Sequence, residues 1–445
     1  MGRPTRTRSL AVWMNGEQVG TWMLPARGAQ TFTYDETWLH SSQFRPLSLS
    51  LPAGYGATTL RGNAVESWFD NLLPDSDAIR RRAQTRFQAA STSAFDLLAA
   101  VGRDCAGAVQ LLPPDQEPSG FDRIEAKPLS DKEIGLRLRA VTVAPAPGSL
   151  GPESEELRLS VAGAQEKTAF LWHNNQWCIP LGSTPTTHLF KLPMGVIGEG
   201  QIDFSSSVEN EWLCSKLLMA YGLPVASTEM ARFNGERCLI VQRFDRRLHS
   251  SGAYWLRLPT EDYCQATATP AANKYENSGG PGMVAIAELL AQSSERSDLT
   301  TFFKTQVLFW MLRAIDGHAK NFSLFLNPGG RFQLTPLYDA LSAWPVIGRR
   351  SGQWPQQKLK MAMAWFGEKN RYYKPLEITS RRMLLTAKRL GLGDAQPILH
   401  ELIAQTPVVI RSVQSQLPAG FPQTVSEPVF TGLQSSASQL QRQLI

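Results

Sequence analysis

The order of hydrophobic and polar residues near the start of the chain predicts strands followed by short helices. Apolar and polar residues alternate over Leu10–Phe32 around the dipeptide Asn15-Gly16, which is typical of a β-hairpin with a two-residue turn. Apolar residues then recur at helical spacing over Ala64–Leu73 and again over Asp75–Ala90. The sequence therefore predicts a hairpin and two helices in this part of the chain.

The pattern changes after a stretch rich in proline and glycine, Pro145–Pro152, which is the best linker candidate. Strand-like runs follow it at Leu157–Val161, Thr168–Trp172, His188–Leu192 and Cys238–Phe244. Amphipathic spacing predicts one helix among these strands, at Val208–Met219, and beyond Met283 the pattern is mostly helical. A strand-rich unit followed by a helix-rich unit predicts an α+β chain with two lobes.

Composition narrows the class of protein. The 445 residues are 42% hydrophobic, which excludes an intrinsically disordered chain. No apolar run reaches the roughly 18 residues of a spanning helix, and the apolar stretch Leu10–Met14 is too short for a secretory signal. We therefore expect a soluble cytoplasmic protein with no membrane segment. The tail beyond Phe421, rich in Ser and Gln, is expected to be partly disordered.

Cysteine and histidine patterns limit the kinds of metal site. The chain has five cysteines, an odd number, and no two of them form a C-x-x-C pair. Its six histidines are scattered along the sequence. A disulfide framework and a zinc site are therefore not predicted. Any metal ion would be held by oxygen atoms.

Positive charge is concentrated in the last quarter of the chain. Residues 340–445 contain 13 Lys or Arg and 5 Asp or Glu, a balance of +8. The predicted helix Glu377–Leu390, which Gly391 can end, carries two pairs of cations seven residues apart: Arg381 with Lys388, and Arg382 with Arg389. We expect these cations near one helix face, with Leu384 and Leu385 on the other. Such a stripe fits either DNA phosphates or an ordinary solvated face.

The segment Ile315–Phe322 is the most informative part of the sequence. In it Asp316 is followed five residues later by Asn321, the D-x-x-x-x-N spacing of a kinase catalytic loop. The carboxylate would orient or accept the proton of an attacking hydroxyl, and the amide oxygen would hold Mg²⁺ on the phosphates. The same spacing also fits a helix-ending turn in which Asp and Asn serve as caps.

Three further features extend this pattern. Asp339 closes a predicted strand 23 residues after Asp316, where a kinase holds its metal with a second carboxylate. Lys191 lies inside an apolar strand and therefore needs an anionic partner, either ATP phosphate or Glu209 or Glu211 of the next helix. The alternative for Lys191 is a position at the strand edge from which the ammonium reaches water. The alternative for Asp339 is a role as the cap of the segment that follows it.

The third feature is a turn of small residues, Ser160–Lys167, that suits phosphate binding. Its sequence, Ser-Val-Ala-Gly-Ala-Gln-Glu-Lys, would let backbone N–H groups approach phosphate oxygens. It contains one glycine, so it matches neither a Walker A nor a G-x-G-x-x-G motif, and a hairpin turn is the alternative. The order of turn, Lys strand, Glu helix, Asp-x₄-Asn and Asp is that of a two-lobed kinase.

Several strings also resemble the HipA family, the serine/threonine-kinase toxins of bacterial toxin–antitoxin pairs. They are Ser160–Lys167, Thr186–His188, Asp316–Asn321, Leu334–Asp339, Arg45–Pro52, Phe69–Asp75, Gly102–Asp104, Arg243–Arg247 and Ser278–Gly282. The resemblance spans nearly the whole chain and implies a two-lobed protein-kinase-like α+β fold. It implies an N-terminal, β-containing HipA-type subdomain (1–125), a linker region (126–155), an ATP-binding N-lobe-like part (156–250) and a helix-rich C-terminal lobe with the catalytic loop (251–445).

The resemblance also implies roles for individual residues. Asp316 would be the catalytic base, with Asn321 and Asp339 as Mg²⁺ ligands. Ser160 would be an autophosphorylation site whose modification expels the phosphate loop and silences the kinase, because a phosphoserine would be repelled by ATP phosphates. Contacts with ATP would come from Val161, Ala162, Gly163, Ala164, Gln165, Lys167, Lys191, Gln242, Phe244, His318, Lys320, Asn321 and Asp339.

Family membership further implies partners. These are a small helix-turn-helix antitoxin, HipB-like, and operator DNA reached through the complex with that antitoxin. The protein substrate would be a translation component such as glutamyl-tRNA synthetase. The basic stripe with Arg381, Arg382, Lys388 and Arg389 would then face DNA.

Two other functions are consistent with the sequence. One is a catalytically degenerate kinase fold that acts as an antitoxin-dependent, DNA-binding co-repressor. The other is a small-molecule kinase, which can also use an Asp-x₄-Asn loop. Filled catalytic positions count against the first, and autophosphorylation at Ser160 would count against the second.

Overall fold

The computed structural model of the 445-residue chain describes residues 6–53, 58–142, 165–198 and 202–444. The architecture is α+β with two lobes, as predicted, preceded by a subdomain with its own core. Residues 160–164 of the predicted phosphate-binding turn, and the strand predicted at Leu157–Val161, lie outside the described residues.

An antiparallel sheet forms the N-terminal subdomain, residues 8–112. Its strand order is β4-β3-β2-β1-β5. The strands are β1 (Arg8–Met14), β2 (Glu17–Leu24), β3 (Thr31–Tyr34), β4 (Thr59–Arg61) and β5 (Val109–Leu112). The predicted hairpin is confirmed: Asn15 and Gly16 both have positive φ, at 48° and 89°, as a primed two-residue turn requires.

Four helices accompany this sheet in the subdomain. They are α1 (Glu36–Leu39), α2 (Asn63–Asp70), α3 (Asp77–Phe87) and α4 (Ala94–Val101). The subdomain core is rich in aromatic residues, with Trp22 stacked on Phe69 at a centroid distance of 3.9 Å. Helix α3 buries none of its residues, so it lies on the surface.

A six-stranded sheet forms the smaller kinase-like lobe, in the order β12-β13-β9-β7-β8-β6. Its strands are β6 (Ala126–Pro128), β7 (Lys167–His173), β8 (Gln176–Pro180), β9 (His188–Lys191), β12 (Thr228–Phe233) and β13 (Glu236–Gln242). A separate hairpin pairs β10 (Gly195–Ile197) with β11 (Ile202–Phe204). Two helices belong to this part of the chain, α5 (Asp131–Thr142) and α6 (Ser207–Ala220).

The prediction that 126–155 is a linker is wrong for its described part. β6 pairs with β8 and adds an edge strand to the sheet, and α5 buries Ile134 and Leu138 in the core beneath it. The strand is only three residues long and helix α5 is polar on its outer face, so neither gave a strong pattern in the sequence. Pairing across 50 residues of chain, rather than local propensity, defines this edge.

The larger lobe is mostly helical. Its helices are α7 (Tyr263–Ala266), α8 (Met283–Leu290), α9 (Asp298–Leu312), α10 (Ser380–Arg389), α11 (Gln396–Gln414) and α12 (Gln423–Leu444). Short strand pairs are β14 (Arg246–Leu248) with β15 (Trp255–Arg257), and β19 (Trp365–Phe366) with β20 (Arg371–Tyr372). A three-stranded sheet joins β16 (Thr260–Asp262), β17 (Ser323–Leu326) and β18 (Phe332–Leu334).

The C-terminal tail is ordered, which corrects the expectation of partial disorder. α12 buries Val425, Val429 and Leu433 in the core of the larger lobe. The apolar residues recur at helical spacing between Ser and Gln, and composition alone concealed that period. None of the helices in the described residues combines the length and apolarity that crossing a membrane requires.

A buried cluster of charged residues joins the N-terminal subdomain to residues 243–257, which lead from the smaller lobe into the larger one. Asp104 accepts hydrogen bonds from Arg246 at 2.9 Å and from Arg243 and Arg257 at 3.3 Å. Asp245 also pairs with Arg243, at 2.8 Å. Burial would raise the pKa of Asp104, but the three guanidinium groups hold that pKa well below its usual range. Two carboxylates therefore offset three buried cations.

We predict that Asp104→Asn destabilises the protein by about 3–5 kcal/mol, because three buried guanidinium groups would keep only one carboxylate. Chemical denaturation measures this decrease in stability. Asp122→Asn, in an exposed loop, is the control and should cost less than about 0.5 kcal/mol. Equal stability of the two variants would contradict the role of the cluster.

Candidate active site

A cleft between the two lobes brings together the predicted catalytic and ATP-binding residues that the structure describes. Ten predicted residues line this cleft: Gln165, Lys167, Lys191, Gln242, Phe244, Asp316, His318, Lys320, Asn321 and Asp339. They come from the small sheet on one side and from the loops after α9 and β18 on the other. Residues far apart in sequence therefore form one polar site.

The loop with Asp316 follows the end of α9, a helix whose last residues, from Thr305 to Leu312, are all buried. The helix ends at Arg313, whose φ is 53° and whose guanidinium lies between the rings of Trp310 and Trp344, 4.7 and 4.9 Å from their centroids. This packing fixes the start of the loop on a rigid support.

The Asp-x₄-Asn segment closes on itself. Asn321 Nδ2 donates to the backbone carbonyl of Asp316 at 2.7 Å. The amide nitrogen is thereby used inside the loop, and the amide oxygen is the atom left for a cation. The five-residue spacing thus has a direct geometric reason.

The carboxylate of Asp316 has a partner that the sequence did not suggest. Tyr275 Oη donates to Asp316 Oδ1 at 2.5 Å. Burial raises the pKa of Asp316, and the hydrogen bond from Tyr275 opposes that rise. Asp316 is exposed to the cleft, and a carboxylate of raised pKa at such a position is the kind of group that accepts a proton in catalysis.

A buried ammonium group bridges the two lobes. Lys191 Nζ lies 2.6 Å from Glu211 on α6 and 2.8 Å from Asp339 after β18. Burial would lower the pKa of Lys191, but the two carboxylates outweigh it and raise that pKa. Of the two glutamates considered from the sequence, Glu211 is the partner, whereas Glu209 pairs with Arg237 at 2.7 Å.

Asp339 has an unusual backbone conformation. Its φ is 61°, in the left-handed region that residues other than glycine rarely adopt. Burial would raise its pKa, but Lys191 and then Lys167 outweigh burial and hold it well below the usual range. The carboxylate is therefore ionised at neutral pH and directed at the cleft by a backbone that costs energy to maintain.

Lys167 adds a second cation beside Lys191. The two residues are direct partners in the pairing of β7 with β9, so their side chains lie on the same face of the sheet. Burial, and next the charge of Lys191, lower the pKa of Lys167 to about 8. An anion such as a phosphate chain would relieve the repulsion between them.

Lys320 and His318, both in the loop after α9, are buried in different electrostatic states. Lys320 Nζ donates to Asp262 at 2.8 Å and to the side-chain and backbone oxygens of Asn71 at 2.8 and 3.0 Å. Its three protons thus have acceptors within the protein, and its contact with ATP stays a prediction. Burial lowers the pKa of His318 to about 3, so its imidazole is neutral.

One end of the cleft is apolar. Phe244 packs edge-on against Phe325 at 5.7 Å and lies 5.6 Å from the ring of Tyr338. Leu189 and Val241 complete this wall, and Gln242 lies beside it. Flat aromatic and aliphatic surfaces of this kind suit a planar heterocycle.

The N-terminal subdomain contributes residues that the sequence reasoning did not assign to the site. Asn71 and Asp75 both line the cleft, and Asp75 pairs with Lys274 at 2.8 Å. In the sequence, their string Phe69–Asp75 contributes only to the family resemblance. No local pattern indicates that a distant subdomain would reach the Asp316–Asn321 loop.

Oxygen ligands suited to Mg²⁺ are present as a pair. Within the described ranges no group of three or more His, Cys, Asp or Glu could hold a metal ion, and all five cysteines are free and buried. The carboxylate of Asp339 and the amide oxygen of Asn321 are hard donors. Mg²⁺ bound with nucleotide commonly takes one or two protein ligands and completes its shell with phosphate and water. The residues therefore fit Mg²⁺ delivered with ATP.

The cations of α10 do not line the cleft. Arg381 pairs with Glu368, and Arg382 and Arg389 lie over the rings of Tyr372 and Phe366 at 3.6 and 4.4 Å. The helix ends as predicted, with Gly391 at a φ of 88°.

The predicted faces of α10 need correction. Leu384 and Leu385 share a surface groove with Arg381 and Lys388, and the buried face consists of Ser380, Met383, Thr386 and Ala387. A Met, Ala and two hydroxyl residues form a less obvious apolar stripe than two adjacent leucines, so the sequence favoured the wrong face.

Comparisons with known proteins agree with this architecture. A putative kinase, Y4mE, of Sinorhizobium fredii is 35% identical over 76% of this chain and 79% of its own length. The serine/threonine-protein kinase toxin HipA of Shewanella oneidensis is 27% identical over 71% of this chain and 70% of its own.

Among solved structures, the complex of Shewanella oneidensis HipA with HipB and its operator DNA matches with a TM-score of 0.77. The match covers 98% of both chains at 21% identity, and it supports the fold. Residues 10–112 match the HipA N-terminal domain, and residues 159–410 match the HipA-like C-terminal domain. The second match alone covers more than half of the chain, so the chain belongs to the HipA family.

Proposed function

We propose that this protein is an ATP- and Mg²⁺-dependent serine/threonine-protein kinase that acts as the toxin of a toxin–antitoxin pair. The observation that carries the proposal is the Lys191 bridge to Glu211 and Asp339, opposite Asp316 and Asn321 in one cleft. Phosphoryl transfer needs this set of cation, base and oxygen ligands. Relatives named as kinases support the same activity.

The proposal gives each group of the cleft a task. Lys191 and Lys167 would bind the phosphates of ATP, and the apolar wall with Phe244 would hold the adenine ring. Asp316 would accept the proton of the attacking hydroxyl, and Asn321 and Asp339 would hold Mg²⁺, which neutralises charge on the phosphates. Positioning and electrostatics, rather than a covalent intermediate, would lower the barrier.

When nucleotide binds, the Lys191 contact with Asp339 would be exchanged for phosphate and metal contacts. Glu211 would keep its hold on the ammonium, because that carboxylate is almost fully buried on α6 whereas Asp339 is partly exposed. The bridge therefore keeps the site assembled before ATP arrives. This order of contacts belongs to the proposal.

Regulation and target are proposed from the family. Ser160, in the turn outside the described residues, would be autophosphorylated, and this would displace the phosphate loop that includes Lys167. The substrate would be a translation component such as glutamyl-tRNA synthetase. A catalytically inactive co-repressor is the alternative function, and it predicts no phosphotransfer at all.

The partners are proposed from the solved complex. Shewanella oneidensis HipA is found there with HipB and its operator DNA. This chain would bind a HipB-like helix-turn-helix antitoxin, and the complex would repress its own operon. The cations of α10, with Lys388 and Arg381 at the rim of an exposed groove, would approach the DNA backbone.

Asp316→Ala should lower the rate of phosphotransfer by about 10²- to 10⁴-fold while leaving Mg-ATP binding intact, because only the base is removed. Intact-mass and peptide mass spectrometry after incubation with Mg-ATP measure the gain of phosphate at Ser160. Asp394→Ala, an exposed position, is the matched control. Full phosphotransfer by the Asp316 variant would contradict the kinase assignment, and no transfer by the unaltered protein would favour the co-repressor.

Removing two cations of α10, as Arg381→Ala with Lys388→Ala, should weaken binding of the antitoxin complex to operator DNA equally for all sequences. The slope of log affinity against log salt should fall by about 2, one unit for each phosphate that is no longer neutralised. Fluorescence anisotropy over a salt series provides the measurement. Lys132→Ala, an exposed cation of α5, serves as control, and an unchanged slope in the double variant would show that this face is merely solvated.

A further inference from the structure

The segment between α7 and α8, residues 267–282, contains no residue to which the proposed function assigns a task. It contains two 3₁₀ turns, Ala271–Asn273 and Glu276–Ser278, with Tyr275 between them. The hydroxyl of Tyr275 reaches Asp316 at 2.5 Å, and its ring stands edge-on to His318 with a centroid distance of 5.0 Å. The segment therefore brings a neutral donor to the carboxylate that would act as base.

The segment is held on both sides of Tyr275. Lys274 pairs with Asp75 of the N-terminal subdomain, and its carbonyl accepts the N–H of Ala319 at 3.3 Å. Glu276 accepts the backbone N–H of Ala364 at 2.6 Å and pairs with Arg371 at 3.2 Å. These contacts join three parts of the molecule and leave Tyr275 little freedom to move.

Glycines allow the segment to fold this tightly. A Cβ on Gly280 would lie 2.0 Å from the carbonyl oxygen of Asn273, and one on Gly282 would lie 2.2 Å from the side chain of Glu276. The N–H groups of Ser278 and Gly280 both donate to the carbonyl of Tyr275 at 3.0 Å. The string Ser278–Gly282 thus builds the support of Tyr275.

We propose that Tyr275 is a positioning residue that holds Oδ1 of Asp316 and leaves Oδ2 for the proton of the phosphate acceptor. In the transfer step the acceptor oxygen forms a bond to the γ-phosphorus as the bond from that phosphorus to ADP breaks. ADP leaves with the bonding electrons, and the acceptor proton passes to Oδ2. Tyr275 keeps its own proton throughout.

Two observations support this division of the carboxylate. Asn321 donates to the backbone carbonyl of Asp316 and so restrains its main chain. Tyr275 donates to the carboxylate of Asp316 and so restrains its side chain. Burial, and then the charge of Asp316, raise the pKa of Tyr275, so its hydroxyl stays protonated and can only donate toward the carboxylate. The inference rests on the proposed kinase function and adds a residue to it.

Tyr275→Phe tests the proposal because it removes the hydroxyl and keeps the ring against His318. We expect the first-order rate of phosphotransfer at saturating Mg-ATP to fall about tenfold, the effect of removing one hydrogen bond to a charged group. The ATP concentration at half-saturation should change less than about twofold. Tyr254→Phe is the matched control and should change neither quantity, since the ring of Tyr254 also contacts a histidine, His249, away from the cleft.

A double-mutant cycle separates positioning from general structural damage. Added to Asp316→Ala, the Tyr275→Phe change should have no further effect on the residual rate, because the carboxylate that the hydroxyl positions is gone. A similar decrease in both backgrounds, or a parallel weakening of ATP binding, would overturn the proposal.

Other outcomes also decide the matter. A faster transfer by Tyr275→Phe would show that the hydroxyl blocks the acceptor instead of positioning the base, and phosphate found on Tyr275 would make it an acceptor; both would overturn the positioning role. An active unaltered protein with an unchanged Tyr275 variant would overturn this inference alone. Absence of transfer by the unaltered protein would overturn the kinase function itself and this inference with it.

Discussion

The burial of one ammonium group organises this molecule. Lys191 lies in the central part of the small sheet, where an unpaired charge would cost several kcal/mol. The structure meets that cost with two carboxylates from separate elements, Glu211 of α6 and Asp339 after β18. Because α6 packs in the core of the larger lobe, this pairing fixes the sheet relative to that core and places Asp339 beside Asp316. The pairing of Lys191 with Glu211 and Asp339 therefore holds the two sides of the cleft together.

The N-terminal subdomain is part of the same unit. Its Asp104 pairs with Arg246, its Asn71 accepts hydrogen bonds from Lys320 of the Asp316–Asn321 loop, and its Asp75 pairs with Lys274. Each contact joins a polar group of the subdomain to a buried or half-buried cation. A subdomain that served only to bind a partner would not require contacts with the Asp316–Asn321 loop. Displacement of the subdomain would therefore leave these buried charges without partners, and the loop would be less well supported.

Much of the site could be predicted from the sequence because its chemistry is local or ordered along the chain. The Asp316–Asn321 spacing reflects a hydrogen bond within one loop, and Lys191 stands out as a charge inside an apolar strand. The parts that were missed depend on non-local pairing. The edge strand β6 is defined by β8, and Tyr275 and Asp75 reach the site through folding of segments far from Asp316 in the sequence. The period of α12 was hidden by its Ser and Gln content.

The binding of Mg-ATP to Lys191→Met, followed by isothermal titration calorimetry, tests the central role of the bridging ammonium most directly. Lys216→Met, on the same helix as Glu211 but over the ring of Trp212, is the control. The account predicts that affinity for Mg-ATP falls at least about tenfold in the Lys191 variant, because methionine cannot form a charge-assisted hydrogen bond with phosphate, and is unchanged in the control. Equal affinity of a folded Lys191 variant and the unaltered protein would contradict it.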